Sequence, residues 1–183
     1  MSPVLRLDGA TAAGAVWLPM DEGEPLGEVV KALRHDAGRL FHGESRYLLI
    51  RPETLVALQK SLIERLGDGA AEHLVAAGRA GGGSALTALG ASGEDAVRRL
   101  IAMGTAIGWG EFSLEHLDGR RFVVAIRHSP FADAHGPSPA PVCHVTRGVL
   151  ERVAEAVFDA PARVTETACA ATGAPLCRFE ARA

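Results

Sequence analysis

No block of basic residues occurs in this sequence. Its 183 residues carry 19 Lys and Arg against 22 Asp and Glu, a formal charge of −3 spread along the chain. Nucleic-acid binding therefore lacks its electrostatic footprint, and so does attachment to an anionic membrane surface. No apolar stretch approaches the ~20 residues of a membrane-spanning helix. The segment "GATAAGAVWLPM" is preceded by Asp8, has only Arg6 for positive charge and runs into the acidic "DEGE". It reads as an N-terminal strand or arm of a cytoplasmic protein and not as a signal peptide. Three cysteines are an odd number and too few for a disulfide scaffold, and a reducing cytosol keeps such thiols free. Neither an internal repeat nor a low-complexity tract is present.

What is there suffices for one domain: 48% of the residues are apolar, enough to bury a real core. The pattern predicts an amphipathic helix in "EPLGEVVKALRH", with Leu26, Val29, Val30 and Leu33 on one face. A strand over Ser45–Ile50 should lead into a helix at Pro52, carrying Leu55, Leu58, Leu62 and Leu66 on its stripe and ending at Gly67. Asp68 can cap a second helix, whose glycines at 78 and 81–83 either break it or admit another backbone. They lack the ending and the preceding strand of a phosphate-binding loop. "SGED" (Ser92–Asp95) opens a third helix with Val97, Leu100, Ile101, Gly104 and Ile107 inward.

Asp118-Gly119 then joins two strand-like segments, "EFSLEHL" and "RRFVVAIRH". A two-residue turn would set Phe122, Val124 and Ile126 against Glu115, Ser113 and Glu111, so either a bulge or a polar-lined pocket is expected. After a Pro-rich loop, a helix begins at Cys143 with Val145, Val149, Val153 and Val157 on its stripe. A last hairpin turns around "ATGAP". Helices followed by hairpins predict an α+β fold, a single domain with helices packed on an antiparallel sheet of about four or five strands. Residues 1–43 are set apart as an N-terminal arm or extension, with residues 44–183 as the ligand-binding domain.

In such a hairpin Cys169 and Cys177 oppose each other, and Cys143 starts a helix whose dipole favours its thiolate. Zinc takes four tetrahedral ligands; Glu166 and His144 are the local candidates to complete three sulfurs. The alternatives are buried thiols acting as small hydrophobes and a strand-crossing disulfide between the opposed pair. In a regular strand Glu166 and Cys169 point to opposite faces, so Glu166 can serve only if the strand bulges or bends between them. Without that bend His144 is the better ligand. No Ser/His/Asp or HExxH spacing assigns catalysis to His116, His128, His135, Glu111 or Glu115, and no catalytic residue is assigned. "GTAIGWG" ends a helix where a dinucleotide fingerprint would begin one.

Three stretches together, "RHSPFA", "PVCHVTRGVLERV" and "VTETACAATGAPLCRFEA", resemble the 4-vinyl reductase (4VR) domain family. The resemblance runs from about Tyr47 to Ala181. Its most specific part is E-x-x-C-x-x-x-G-x-x-x-C-x-F, matched by Glu166, Cys169, Gly173, Cys177 and Phe179. Ala174 stands where the family often has an acidic residue, a change to the turn and not to the site. The resemblance implies an α/β fold shared with TRAPP subunits, usually as a homodimer. It also implies, as in the sensory domain of aromatic-sensing bacterial transcription activators, a zinc held by Cys143, Glu166, Cys169 and Cys177. With four protein ligands that zinc would be structural, pinning the last hairpin to the helix at Cys143.

Trp109, Phe112, Phe122 and Phe131 are four of only nine aromatics. They gather around the central hairpin, where those relatives hold a small aromatic or hydrocarbon ligand. The expected function is a zinc-stabilised sensor-type module that binds a small hydrophobic ligand and acts through a separate output protein. The alternatives are an accessory protein of tetrapyrrole (bacteriochlorophyll) metabolism, related to vinyl reduction, and a ligand-free interaction or tethering module.

Overall fold

Pro52 opens the first long helix at a position where its missing N–H costs no hydrogen bond. Gly67, at φ 57°, ends it. The computed structural model of the chain describes residues 30–89 and 93–183. Its elements are β1 (Leu33–Asp36), β2 (Arg39–His42), β3 (Ser45–Tyr47), α1 (Pro52–Leu66), α2 (Ala70–Leu89), α3 (Gly93–Ala106), β4 (Glu111–Leu117), β5 (Arg121–Arg127), α4 (Pro130–His135), α5 (His144–Phe158), β6 (Val164–Ala168) and β7 (Cys177–Arg182). The expected α+β class holds. The main sheet has four antiparallel strands in the order β4-β5-β7-β6, and β1-β2-β3 form a second, three-stranded sheet.

That small sheet replaces part of an expected helix. Leu26, Val29 and Ser92 lie outside the described residues, but Leu33 is the first residue of β1, paired with His42. The strand reverses at Ala37 and Gly38, both at positive φ (45° and 80°). Two left-handed residues give a turn whose twist matches a hairpin, and this carries the chain into β2. The expected strand over 45–50 stops at Tyr47, and Leu48–Ile50 are exposed.

The central hairpin takes the bulge. Phe112 pairs with Ile126, Leu114 with Val124 and Leu117 with Phe122, with the register shifting between Leu114 and His116. Glu115 is the extra residue, so Phe122, Val124 and Ile126 pair with Leu117, Leu114 and Phe112, and of the two expected alternatives the bulge is the one present. Released from the ladder, Glu115 accepts a hydrogen bond from Arg178 Nε at 2.7 Å.

The glycines of α2 do not break it. An added Cβ on Gly78 would stand 2.1 Å from the Val145 carbonyl oxygen, and one on Gly148 would stand 2.0 Å from that of Val75. These two glycines let α2 and α5 cross almost backbone to backbone. α5 thus runs between α2 on one side and the sheet on the other, burying Thr146, Leu150, Val153 and Ala154. The expected stripe Val145, Val149 and Val157 packs half-buried at its flank. In α3, Val97, Leu100 and Ile101 are buried as expected, whereas Ile107 lies past the helix end and is exposed. On α1 the expected inward stripe is corrected: Leu55 packs on the core, but Leu58, Leu62 and Leu66 are exposed by 59%, 36% and 48%. The face buried against the chain is that of Val56 and Gln59. Among the described residues no helix is long and apolar enough to cross a membrane.

Candidate metal centre

Four side chains from three separate segments converge beneath the end of the main sheet. Cys143 is the N-cap residue of α5, Glu166 lies in β6, Cys169 follows β6 and Cys177 opens β7. Their ligand atoms all lie within 4.8 Å of one another and all four residues are buried. Cys143 Sγ and Cys177 Sγ are 3.6 Å apart. Such a set of three thiols and one carboxyl can hold a metal ion.

The geometry depends on one extra residue. β6 and β7 pair Glu166 with Phe179 and then Ala168 with Arg178, a register shift that leaves Thr167 unpaired. This bulge rotates the strand, so Glu166 and Cys169 both face inward while Thr167 is exposed. The condition set for a Glu166 ligand is met, and His144, half-buried, is not among the four. After Cys169 the chain tightens into a short 3₁₀ turn over Ala170–Thr172 and leaves through Gly173 at φ 91°. The Cys169 carbonyl accepts hydrogen bonds from the amides of Thr172 and Ala174 and from Thr172 Oγ1. Ala174 joins this turn through its backbone alone, so the side chain at that position does not reach the site.

Burial and mutual contact set the electrostatics of the cluster. Glu166 Oε2 accepts the Cys143 N–H at 3.1 Å, while Glu166 Oε1 is buried without a hydrogen-bond partner. Burial, followed by contact with the Cys169 sulfur, pushes the Glu166 carboxyl up to about 8. The Cys143 thiol is raised by its hydrogen bonds to Cys169 and Cys177 and by burial. Cys169 is lowered, because the Cys143 and Cys177 thiols donate to it. At Cys177 the hydrogen bond with Cys143 lowers the thiol, but the Cys169 contact and burial outweigh it and leave it at about 12.

The four aromatics fall in one core cluster. Phe112, Phe122 and Phe131 are buried and Trp109 is partly so, its ring edge-on to Phe131 at 5.5 Å. Neither of two open surface clefts, one along Arg51–Leu58 and one between Glu72 and Arg163, is lined by any of them. The residues considered for acid–base work are engaged singly. His116 Nε2 is 2.8 Å from Asp118, His135 Nδ1 is 3.2 Å from the Gly136 carbonyl, Glu111 pairs with Arg127, and His128 is exposed at φ 54°.

Two buried polar residues beside the cluster escaped sequence reasoning. Ser129 Oγ is 3.4 Å from Cys143 Sγ, and Gln59 Nε2 donates to the Val142 carbonyl at 2.8 Å. Gln59 left a signal as a lone amide in α1, and Ser129 lies within "RHSPFA", one of the stretches that carry the family resemblance, without a role having been assigned to it.

The match to known proteins falls on the same part of the chain. Residues 122–183, which contain all four donors, match the V4R domain. The bacteriochlorophyll synthase 23 kDa chain of Cereibacter sphaeroides is 38% identical over 76 residues, which cover 42% of this chain and 35% of that one. The chain therefore spans about a third of the length of that relative. Among solved structures, the phenol-responsive sensory domain of the transcription activator PoxR, determined with phenol, superposes with a TM-score of 0.75 at 23% identity, covering 86% of this chain and 88% of that one. A vinyl-4-reductase family protein from Methanocaldococcus jannaschii gives 0.50 at 17% identity over 76% and 84%. Subunit 3 of a trafficking protein particle complex from Naegleria fowleri gives 0.48 at 14% over 72% and 93%, too slight a likeness to carry an argument. At these identities the first two structural matches show a shared α+β fold.

Proposed function

We propose that this protein is a sensor-type module whose V4R fold is pinned by a structural zinc. The observation that carries the zinc is the orphaned Glu166 Oε1 facing three sulfurs. With a Zn–S distance of about 2.3 Å, two thiolates on a tetrahedron stand about 3.8 Å apart; Cys143 and Cys177 already stand at 3.6 Å. Cys143, Cys169, Cys177 and Glu166 fill all four positions, which leaves none for water or substrate, so the ion holds structure and performs no chemistry. Its place joins the start of α5 to the β6-β7 hairpin.

The sensing role rests on the extent of the fold shared with the PoxR domain. In this reading a small aromatic or hydrocarbon ligand would pack against Trp109, Phe112, Phe122 and Phe131, and residues 44–183 would be the ligand-binding domain. The arm of residues 1–43 stands apart from this role. The outward stripe Leu58, Leu62 and Leu66, with Leu48 and Leu49 near it in sequence, fits a homodimer, and output passes to a separate protein in the cytoplasm. A titration with phenol and other small aromatics, followed by thermal midpoint and by Trp fluorescence, tests the ligand. Saturable stabilisation that is lost in Phe122→Ala supports it, and no shift with any of them refutes it.

One observation favours a second reading. The 38% identity to the bacteriochlorophyll synthase chain points to an accessory role in tetrapyrrole metabolism. A chlorophyll-type pigment bound in stoichiometric amount, with no response to small aromatics, would select that role.

A further inference from the structure

Cys143 is fixed by two residues that are not metal donors. The peptide linking Val142 and Cys143 is bonded at both ends: its carbonyl accepts from Gln59 Nε2 at 2.8 Å, and its N–H donates to Glu166 Oε2 at 3.1 Å. A peptide unit is planar, so holding both ends sets the orientation of the plane and with it the direction in which Cys143 Cβ leaves the backbone. A third point is held at the sulfur, where Ser129 Oγ lies 3.4 Å away. A metal-bound thiolate has no proton, so the hydroxyl is then the donor and takes up part of the sulfur's charge.

Both groups are placed with little freedom. Gln59 is 1% exposed and Ser129 is 2% exposed. Burying an amide or a hydroxyl is unfavourable unless it is hydrogen-bonded; Gln59, on the buried face of α1 with Val56, bonds through Nε2 while its Oε1 is buried without a partner. Ser129 is aimed by its neighbours: His128 adopts the left-handed region at φ 54°, and Pro130 opens α4 directly after it. A left-handed non-glycine residue is unfavourable on its own and persists where the surroundings require it.

We propose that Gln59 and Ser129 are positioning residues of the metal centre. Gln59 sets the plane of the 142–143 peptide from α1, and Ser129 orients and partly neutralises the Cys143 thiolate from the start of α4. This assignment rests on the metal-centre reading. Groups that act on a ligand in this way typically change metal affinity by 10–100-fold when removed.

The test uses the full chain. Zinc affinity is measured by competition with a chromophoric chelator, and the Co(II)-substituted protein reports the geometry of the centre through its thiolate charge-transfer and ligand-field bands. Ser129→Ala and Gln59→Leu should each weaken zinc about 10-fold or more and shift the cobalt bands, and Ser129→Thr, which keeps the hydroxyl, should recover most of the loss. Val56→Ala on the same buried face of α1 controls for a loosened helix, and should lower the thermal midpoint with affinity and bands unchanged. If Gln59→Leu does not fold, Gln59→Met is measured in its place. Wild-type affinity and bands in the Ser129 and Gln59 variants would overturn the assignment while leaving the centre intact. An equal loss of affinity in Val56→Ala would also overturn it. A wild-type chain that binds neither zinc nor cobalt would instead remove the centre itself.

Discussion

At the scale of single residues, Glu166 divides its two oxygens between the backbone and the cluster. Oε2 accepts the Cys143 N–H, and Oε1, buried without a partner, is the oxygen that the proposed zinc would take. Glu166→Gln keeps an oxygen and the shape but not the charge, and is expected to lower zinc affinity at least 10-fold while the apoprotein still folds, checked by chelator competition. Protons compete with a metal for thiolates, so zinc should be released on acidification and rebound on return to neutral pH, as followed by a zinc indicator. Asp118 shows a second pH effect. The Arg120 N–H, then His116 and the Arg121 N–H, hold its carboxyl down at about 2. A depressed carboxyl stabilises the fold above its unfolded value and loses that contribution as pH falls through its folded value. The difference in thermal midpoint between wild type and Asp118→Asn should therefore shrink between about pH 4 and about pH 2.

At the scale of elements, the crossing of α2 and α5 makes opposite predictions for two glycines. Gly148→Ala drives a methyl into the Val75 carbonyl and should destabilise by about 1–3 kcal/mol or more. Gly81 has nothing within reach of an added Cβ, so Gly81→Ala should stabilise by about 0.5–1 kcal/mol. Urea unfolding of both variants checks the signs. The same crossing shows what the sequence made legible. Glycines 78 and 81–83 announced either a break or a close approach, and only the facing Gly148 decides between them. α1, α2 and α5 were readable from Pro52, Gly67 and the helical periodicity. The side of α1 that faces inward was not, because Val56 and Gln59 make a weaker stripe than the leucines they oppose. The donors Cys143, Glu166, Cys169 and Cys177 were legible as residue types at a spacing. The bulge at Thr167 that unites them was not, since nothing in "VTETAC" distinguishes a bulged strand from a regular one. The β1-β2 turn was missed for a similar reason, as Ala37-Gly38 lacks the Asn or Asp that usually marks two left-handed residues.

At the scale of the whole molecule, α1 shows two faces: Leu58, Leu62 and Leu66 are exposed on one, while Gln59 on the other reaches the peptide next to Cys143 in the buried cluster of three cysteines and Glu166. In the proposed function the leucine face is the surface for a second copy of the chain, and a zinc in the cluster would hold the β6-β7 hairpin. Leu58→Asp combined with Leu62→Asp should shift a dimer to a monomer in sedimentation analysis without loss of zinc. The most direct measurement is the zinc content of the untagged protein beside Cys169→Ser and Glu166→Ala. The account predicts about one zinc per chain in the wild type, lost from both variants together with thermal stability. A wild-type protein that is fully folded and contains no metal would contradict it, and the three cysteines would then be ordinary thiols of the core.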